Sequence, residues 1–460
     1  MDIKEIYKLY QQHPLITTDS RDCPAGSIFL ALKGASFNGN QYAVQALAKG
    51  CSYAVVDEDI DFETARQEAV ANGMTQAVSN SQLIRVADAL QTFKDLAREH
   101  RRQFEIPVIG ITGTNGKTTT KELIRAVLAQ CYDVMATEGN FNNDVGVPKT
   151  LFRLNDSHDI AVVEMGASHP GDIRTLVETA EPTCGLITNV GRAHLQGFGS
   201  FEGVCRTKGE LYDYLRQHDH PVFVNRDNEH LVAMAHDMAD VYYYGQSDSP
   251  DILIRGEVVS CAPFLKFRWR EQDSDAGYQS EWMEVQTHLI GAYNLDNMLA
   301  AITIGYVNNV PFELINQALA DYVPTNNRSQ MTETAHNHLI VDAYNANPSS
   351  MKAAIDNFRL MDVPHKMAIL GDMRELGEVS AEEHRRVVES LADASFEEVW
   401  LVGEEFGKQR NNGQQDGCRL RWFQDVDEVK TEIARQQPQD HYILIKGSNS
   451  IRLYQLPELL

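Results

Sequence analysis

The stretch that most restricts the fold is an apolar run, IPVIGIT (106–112), that passes through GTNGK into a helix-forming segment, KTTTKELIRAVLAQ (117–130). A continuous apolar run of this kind suits a strand buried on both faces, and such strands belong to parallel sheets covered by helices. Gly113 and Gly116 carry no side chain where the chain turns, so backbone N–H groups can close around an anion at the positive end of the next helix. In GITGTNGKTTT (110–120), Lys117 is placed for the terminal phosphates of a nucleotide and the Thr118 hydroxyl for a Mg²⁺ ion. The spacing departs from the simplest phosphate loop, because the residue five before Gly116 is Ile111. The flanking strand and helix therefore carry the assignment, which by itself gives ATP or GTP and no reaction.

Further apolar runs continue the alternation. DIAVVEMG (159–166) and CGLITNV (184–190) read as buried strands, and NLDNMLAAITIGYV (294–307) as a helix. From about residue 326 a second unit follows the same pattern: HLIVDAY, SSMKAAIDNFRL, KMAILGDM, AEEHRRVVESLADA, EEVWLVG, DEVKTEIARQ and HYILIKGS. The first hundred residues are more mixed, with SIFLALKG as a strand and DALQTFKDLAREHRRQF as a charged helix whose Arg98, Arg101 and Arg102 read as a solvated end. A chain of 460 residues exceeds one ordinary core. The expected architecture is α/β in three domains. These are a smaller mixed α/β domain at 1–105, a central, mostly parallel phosphate-loop domain at 106–325, and a Rossmann-like α/β domain at 326–460.

A net charge of −24 argues against nucleic acid or an anionic membrane as the main partner, since those surfaces demand basic patches. Any anionic ligand must be held locally. The first residues, MDIKEIYKLYQQHP, carry scattered charges and no apolar run, so a cytoplasmic protein is expected. Seven widely spaced cysteines without a CxxC pair read as reduced thiols. Ligands of open α/β sheets gather at the carboxyl ends of strands. Glu164 ends one such strand and His194 follows another in NVGRAHL; both residue types bind divalent metal.

With these segments in place the sequence resembles the Mur ligases, which build the peptide of the bacterial cell-wall precursor. The resemblance rests on TGTNGKTT, EMGASHPGDI, ITNVGRAHL, RTKGEL (206–211), NRD (225–227), GAYNLDNMLAA (291–301), NNRSQ (326–330), VDAYNANPSSM (341–351), GDMRELG (371–377) and KGSNS (446–450), in family order. DAYNANP and GDMRELG resemble the members that take D-alanyl-D-alanine as the amine. The resemblance implies ATP and Mg²⁺ as cofactors, and a UDP-N-acetylmuramoyl tripeptide and D-alanyl-D-alanine as substrates, joined through an acyl phosphate.

Carried over position by position, it implies that Gly113, Thr114, Asn115, Gly116, Lys117, Thr118 and Thr119 hold phosphates. Thr118, Glu164, His194 and Lys208 are the implied metal ligands, Lys208 as a carbamate, and Lys117, Lys208, His194 and Glu164 the implied catalytic set. Asn294 and Asn297 fall on the adenine side, Arg328 on a phosphate side, Asp342 on the ribose, and Asn345 and Asn347 near the dipeptide. TTDSRDCPAGSIFLALKGASFNGNQY (17–42) resembles a uridine-nucleotide segment with Ser20 and Arg21 as contacts, although Asn38, Gly39 and Asn40 stand where relatives often carry Asp-Gly-His. Nothing demands an oligomer, and a monomer is expected. Two alternatives stay open. Another ligase of the superfamily would accept a single amino acid instead of the dipeptide, and a nucleotide-dependent switch would bind ATP without forming product.

Overall fold

The computed structural model describes all residues except 35, 75, 274–275, 325–329, 393–394 and 411–418. The chain divides into two compact units. One comprises Met1–Ile106, Thr137–His158 and Thr175–Glu181; the other comprises Pro107–Ala136, Asp159–Arg174 and Pro182–Leu460.

The first unit is built on four parallel strands, ordered Ile16–Thr17, Ile28–Leu30, Tyr53–Val56 and Leu83–Arg85. Its opening helix, Ile3–Gln12, starts where the Asp2 carboxylate accepts from Glu5 N and the Glu5 side chain accepts from Asp2 N, so two donors left over at the helix start are satisfied. That helix and Ala89–Arg101 cover one face of the sheet with Ile6, Tyr7, Tyr10, Phe93 and Leu96. Ala43–Lys49 and Phe62–Ala71 cover the other with Val44, Leu47 and Phe62.

The expectation of a solvated arginine cluster fails at Arg101. This residue is 7% exposed, and its guanidinium donates to the carbonyls of Phe104 (2.7 Å) and Ala180 (3.2 Å), with longer bonds to Ile106 and Glu181. The fixed fork of an arginine can serve several carbonyls at once, which tolerates burial that a lone charge would not. Arg98 and Arg102 do lie nearer solvent, paired with Asp95 (2.8 Å) and Glu181 (2.6 Å).

The second unit contains two sheets. The larger, of ten strands, runs in the order Tyr278–Gln279, Phe264–Asp273, Ile252–Cys261, Val241–Gly245, Val222–Asn225, Cys184–Ile187, Val108–Thr112, Ile160–Glu164 and Val134–Ala136, with Met283–Ile290 branching from Phe264–Asp273. Strands from Val134 to Ile252 pair in parallel, and the edge beyond is antiparallel. The central strand Val108–Thr112 is wholly buried, as its uninterrupted apolar run requires. The helix Leu295–Val307 is apolar around most of its circumference and is correspondingly buried, packed on the loop helix Lys117–Leu128.

The smaller sheet has six strands in the order Gln330–Glu333, His338–Asp342, Tyr442–Lys446, Lys366–Gly371, Glu398–Val402 and Arg419–Phe423, parallel except for the first. Helices Pro348–Leu360 and Ser380–Ser390 pack on one face through Met351, Ile355, Phe358 and Val388, and Val426–Gln436 on the other through Val429 and Ile433. No helix among the described residues is long and apolar enough to cross a membrane.

The Arg101 arrangement yields a stability prediction. Arg101→Ala leaves buried carbonyls without donors and is expected to lower unfolding free energy by about 2–3 kcal/mol in urea titrations, whereas Arg98→Ala, at a half-buried pair one turn from its partner, should cost under about 1 kcal/mol. Equal effects of the two substitutions would contradict this reading.

Candidate active site

Register places three strand ends side by side. Ile187 lies opposite Thr112, and Glu164 opposite Ile111, so the loop after Val108–Thr112 emerges between the ends of its two neighbours. The loop is bolted to the segment that follows Cys184–Ile187. Thr114 N donates to Asn189 O (2.9 Å), Asn115 N to Asn189 Oδ1 (3.0 Å), and Thr188 Oγ1 to Asn115 O (2.6 Å). Glycine is required twice. Gly113 has φ +143° and a Cβ there would meet Thr188 Oγ1 at 2.0 Å; Gly116 has φ +80° and a Cβ there would meet Asn297 Oδ1 at 2.7 Å. The loop then enters the helix Lys117–Leu128, and Lys117 Nζ arches back over it to the carbonyls of Gly113 (2.8 Å) and Thr114 (3.1 Å).

Beneath the loop the buried Thr118 hydroxyl donates to Glu164 Oε2 at 2.9 Å, joining two oxygen donors that the sequence places 46 residues apart. A hydroxyl beside a carboxylate is a donor set that suits a hard cation such as Mg²⁺. Thr119 follows at the same helix start, half-buried. In the same first turn, Thr120 Oγ1 donates to Asn297 Oδ1 (3.0 Å), Asn297 Nδ2 to Asn294 Oδ1 (2.8 Å), and Asn294 Nδ2 to Ile290 O (2.8 Å). These two asparagines are thus buried in a chain of bonds that fastens the Leu295–Val307 helix to the loop helix.

A second cluster lies on the next strand's loop. His194 adopts a left-handed backbone (φ +50°) at the start of the short helix Leu195–Phe198 and forms an ion pair through Nδ1 with Glu375, itself at φ +63°. Burial holds the imidazole below its ordinary pKa; Glu375 opposes that, and Lys117 and Lys208 reinforce it. Lys208 projects from the middle of the helix Phe201–Gln217, is 2% exposed, and sits over the Phe198 ring at 5.7 Å. Burial first, then Lys117, pushes its amine well below the lysine range, against the pull of Asp172 and Glu210. Lys117, Lys208 and His194 therefore share one electrostatic neighbourhood. Among the described residues no group of three or more His, Cys, Asp or Glu side chains is arranged to hold a metal ion.

Residues of the smaller sheet reach the same loops. Asn347 caps the helix Pro348–Leu360 by accepting from Ser350 N (2.9 Å), and its Nδ2 donates to Asn115 Oδ1 (2.8 Å) in the phosphate loop. Ser349 Oγ accepts from Arg192 N (3.1 Å), and Arg192 Nη1 pairs with Glu383 Oε1 (2.9 Å). Asp342 Oδ2 accepts from the buried Lys446 Nζ at 2.5 Å, and Lys446 also reaches the carbonyl of the exposed Asn345 (3.3 Å). Glu375, Arg192, Glu383 and Lys446 had no signal as contacts in the sequence beyond lying inside the motifs or helix quoted above. Arg328 lies outside the described residues. In the first unit, Arg21 grips Asp19 through Nε (2.9 Å) and Nη2 (2.7 Å), an exposed pair that lowers the Asp19 pKa, and the neighbouring Ser20 carbonyl accepts from Lys49 Nζ (2.6 Å).

Comparison with known proteins matches three family profiles in succession: the catalytic domain of the Mur ligase family over residues 14–101, the Mur ligase middle domain over 111–305, and the Mur ligase glutamate ligase domain over 327–449. The UDP-N-acetylmuramoyl-tripeptide D-alanyl-D-alanine ligase of Synechocystis sp. is 31% identical over 95% of this chain and 90% of its own. The Escherichia coli enzyme of that name is 31% identical over 97% of this chain and 93% of its own. Among solved structures, MurF from Acinetobacter baumannii superposes with a TM-score of 0.83 at 27% identity, covering 98% of this chain and 96% of that one. MurF ligase from Thermotoga maritima, solved in complex with ADP, shares the fold with a TM-score of 0.81 at 24% identity over 97% and 96% of the two chains.

Lys208 provides a test that needs no substrate. Its amine is held below the value it has in the unfolded chain, so between the two values the unfolded state binds more protons and stability rises with pH. The stability that this lysine costs is therefore greatest at low pH and disappears as pH climbs toward the unfolded value. Lys208→Met is expected to stabilise the protein by about 1–2 kcal/mol at pH 7, with the advantage shrinking toward pH 10. A destabilised or pH-independent variant in parallel thermal unfolding scans would refute it.

Proposed function

The chain belongs to the Mur ligase family, and we propose that it joins D-alanyl-D-alanine to a UDP-N-acetylmuramoyl tripeptide at the expense of ATP. The observation that carries this reading is the extent of similarity: relatives named for that reaction match 95–97% of the chain, so the loop, the metal-type residues and the amine-side asparagines all fall inside the matched span.

A carboxylate is a poor electrophile at neutral pH. In the proposed reaction its oxygen takes the terminal phosphoryl group of ATP, releasing ADP and leaving an acyl phosphate. The free amine of the dipeptide adds to the acyl carbon, and the tetrahedral intermediate expels phosphate to form the amide. Phosphoryl transfer between anions depends on alignment and charge neutralisation more than on covalent help. The N–H groups of Gly113 to Thr119 and the Lys117 ammonium supply both. Thr118 would hold one Mg²⁺ and Glu164 with His194 a second, and the ions would supply further charge neutralisation when bound. Carbamylation of Lys208 is supported by the burial of its amine, which pushes it well below the lysine range and toward the unprotonated form. Only an unprotonated amine adds to carbon dioxide, losing a proton as the carbamate forms, and the product is a carboxylate that extends the oxygen donor set.

On the same reading Asn294 and Asn297 border the adenine, Asp342 the ribose and Arg328 a phosphate. Ser20 and Arg21 contact the uridine nucleotide, and Asn345 and Asn347 the dipeptide. The three segments 1–105, 106–325 and 326–460 are assigned to the UDP-sugar, ATP and amine respectively. The enzyme acts as a cytoplasmic monomer.

Purified protein is expected to release phosphate from ATP only when both the UDP-muramoyl tripeptide and D-alanyl-D-alanine are present, and Lys117→Ala should reduce turnover by at least about 10³-fold, the scale of losing a transition-state cation. Robust turnover without the dipeptide, or with a single amino acid in its place, would overturn the assignment. For the carbamate, protein equilibrated with ¹³C-bicarbonate should show one carbamate resonance that is absent from Lys208→Ala; retention of the signal would exclude Lys208 as its site.

A further inference from the structure

The turn 372–377 follows the strand Lys366–Gly371 and carries Glu375, the partner of His194. Most of its polar groups have a buried partner. Asp372, with no exposed surface, accepts through Oδ1 from Phe406 N (2.9 Å) and through Oδ2 from Glu405 N (3.0 Å), while its own N–H donates to Val402 O (2.9 Å). Arg374 N donates to Ser448 Oγ (3.0 Å), and Ser448 N returns a bond to Asp372 O (3.2 Å). Between these two anchors, Met373 N donates to His384 Nε2 at 3.0 Å.

That last bond fixes the chemistry of His384. An amide N–H can only donate, so Nε2 must be the unprotonated nitrogen, and Nδ1–H then donates to Ser380 O at 2.8 Å. The ring is fully buried, with its edge against Phe406 at 4.7 Å. A protonated Nε2 would point its hydrogen at the Met373 N–H, and Asp372 Oδ1 lies 3.7 Å away, beyond hydrogen-bond reach. The charged groups around it are Asp372, Glu405 and Arg374; burial outweighs the two carboxylates and favours the neutral imidazole.

We propose that His384 is a positioning residue for the ligase reaction: as the acceptor for Met373 N–H it fixes the 372–377 turn so that Glu375 meets His194. Glu375 has the left-handed backbone at φ +63°, a conformation that costs free energy for a residue with a side chain and persists only when its surroundings impose it. The bonds at Met373 and Arg374 impose it from one side, and Gln196 N, which donates to Glu375 O at 3.4 Å, from the other. His384 reaches no substrate-side residue itself and acts through the turn. The inference rests on the reading above that His194 serves the reaction.

The test is a set of full-length variants. Glutamine can offer an acceptor near the position of Nε2, whereas leucine cannot. His384→Leu is expected to lower kcat/KM about tenfold or more and His384→Gln to recover it to within about threefold of the parent. Because the effect passes through Glu375, adding His384→Leu to Glu375→Gln should cost no more than about twofold beyond Glu375→Gln alone. Hydrogen exchange supplies a readout independent of turnover: amides of 372–377 should exchange faster in His384→Leu and at the parental rate in His384→Gln. Multiplicative losses in the double variant, a folded His384→Gln as impaired as His384→Leu, or unchanged exchange in His384→Leu would each overturn the proposal. Failure of the parent protein to turn over would instead count against the ligase reading, and the exchange arm would still decide whether His384 fixes the turn.

Discussion

The approach of Gly113 to Thr188 is the contact from which the rest of the site follows. Two adjacent parallel strands, in register to their last residues, launch loops that would collide if either carried bulk at the crossing. A glycine at φ +143° removes the obstruction, and the freed space is filled by polar bonds, from Thr188 to the Asn115 carbonyl and from Thr114 and Asn115 to Asn189. The loop is consequently held in shape by its neighbour before any ligand arrives, which removes the ordering cost from binding. The same register sets Glu164 beside the loop on the opposite side and directs the chain after Asn189 through Arg192 to His194. One steric constraint thus orders the glycine-bearing loop, carboxylate and imidazole along three consecutive strand ends.

Charge is distributed against the average of the molecule. A protein with a net charge of −24 should repel nucleotides and acidic peptides, yet Lys117 is close enough to disfavour protonation of both Lys208 and His194, and Lys208 that of His194. Gathering basic groups around one loop makes a local environment that the overall charge does not predict. The price is stability, since Lys208 lies buried with no hydrogen bond or ion pair to any described residue, and Asp172 and Glu210 offset only part of that cost. Sites that must act on anions commonly carry such strain.

How much of this was visible in the sequence depended on range. The loop, its strand and its helix are set by neighbours a few residues apart, so their pattern is legible: the run read as 106–112 folds as Val108–Thr112, and 117–130 as Lys117–Leu128. Glu164 and His194 could be named because strand ends gather ligands in this class of fold. Arg101 could not be read correctly, because its burial depends on carbonyls some 80 residues away at Ala180 and Glu181. Nor could Glu375, Asp372 or His384, since nothing near GDMRELG states that one residue will meet His194 and that another will be an acceptor for the turn. Asp342 illustrates an intermediate case. Its place in the apolar HLIVDAY segment was legible, but its pairing with Lys446 arises from the register of two strands 104 residues apart.

Asn347 shows why a particular residue type stands where two distant elements meet. Its Oδ1 accepts from Ser350 N, which fixes the orientation of the amide and leaves Nδ2 to donate to Asn115 Oδ1. An aspartate would cap the helix equally well but could meet Asn115 only as an acceptor, from the Asn115 Nδ2 that now lies 3.5 Å from Asn347 Oδ1, and the 2.8 Å bond to Asn115 Oδ1 would be lost. Asn115 completes the link from the other side, its backbone N–H on Asn189 and its carbonyl on Thr188. A single amide therefore ties the start of the Pro348–Leu360 helix to the phosphate loop, 232 residues earlier in the chain. Whatever displaces the loop must also pull on the helix cap, so the Gly113–Lys117 loop and the Pro348–Leu360 helix are mechanically coupled through an amide that accepts from its own helix and donates to the loop.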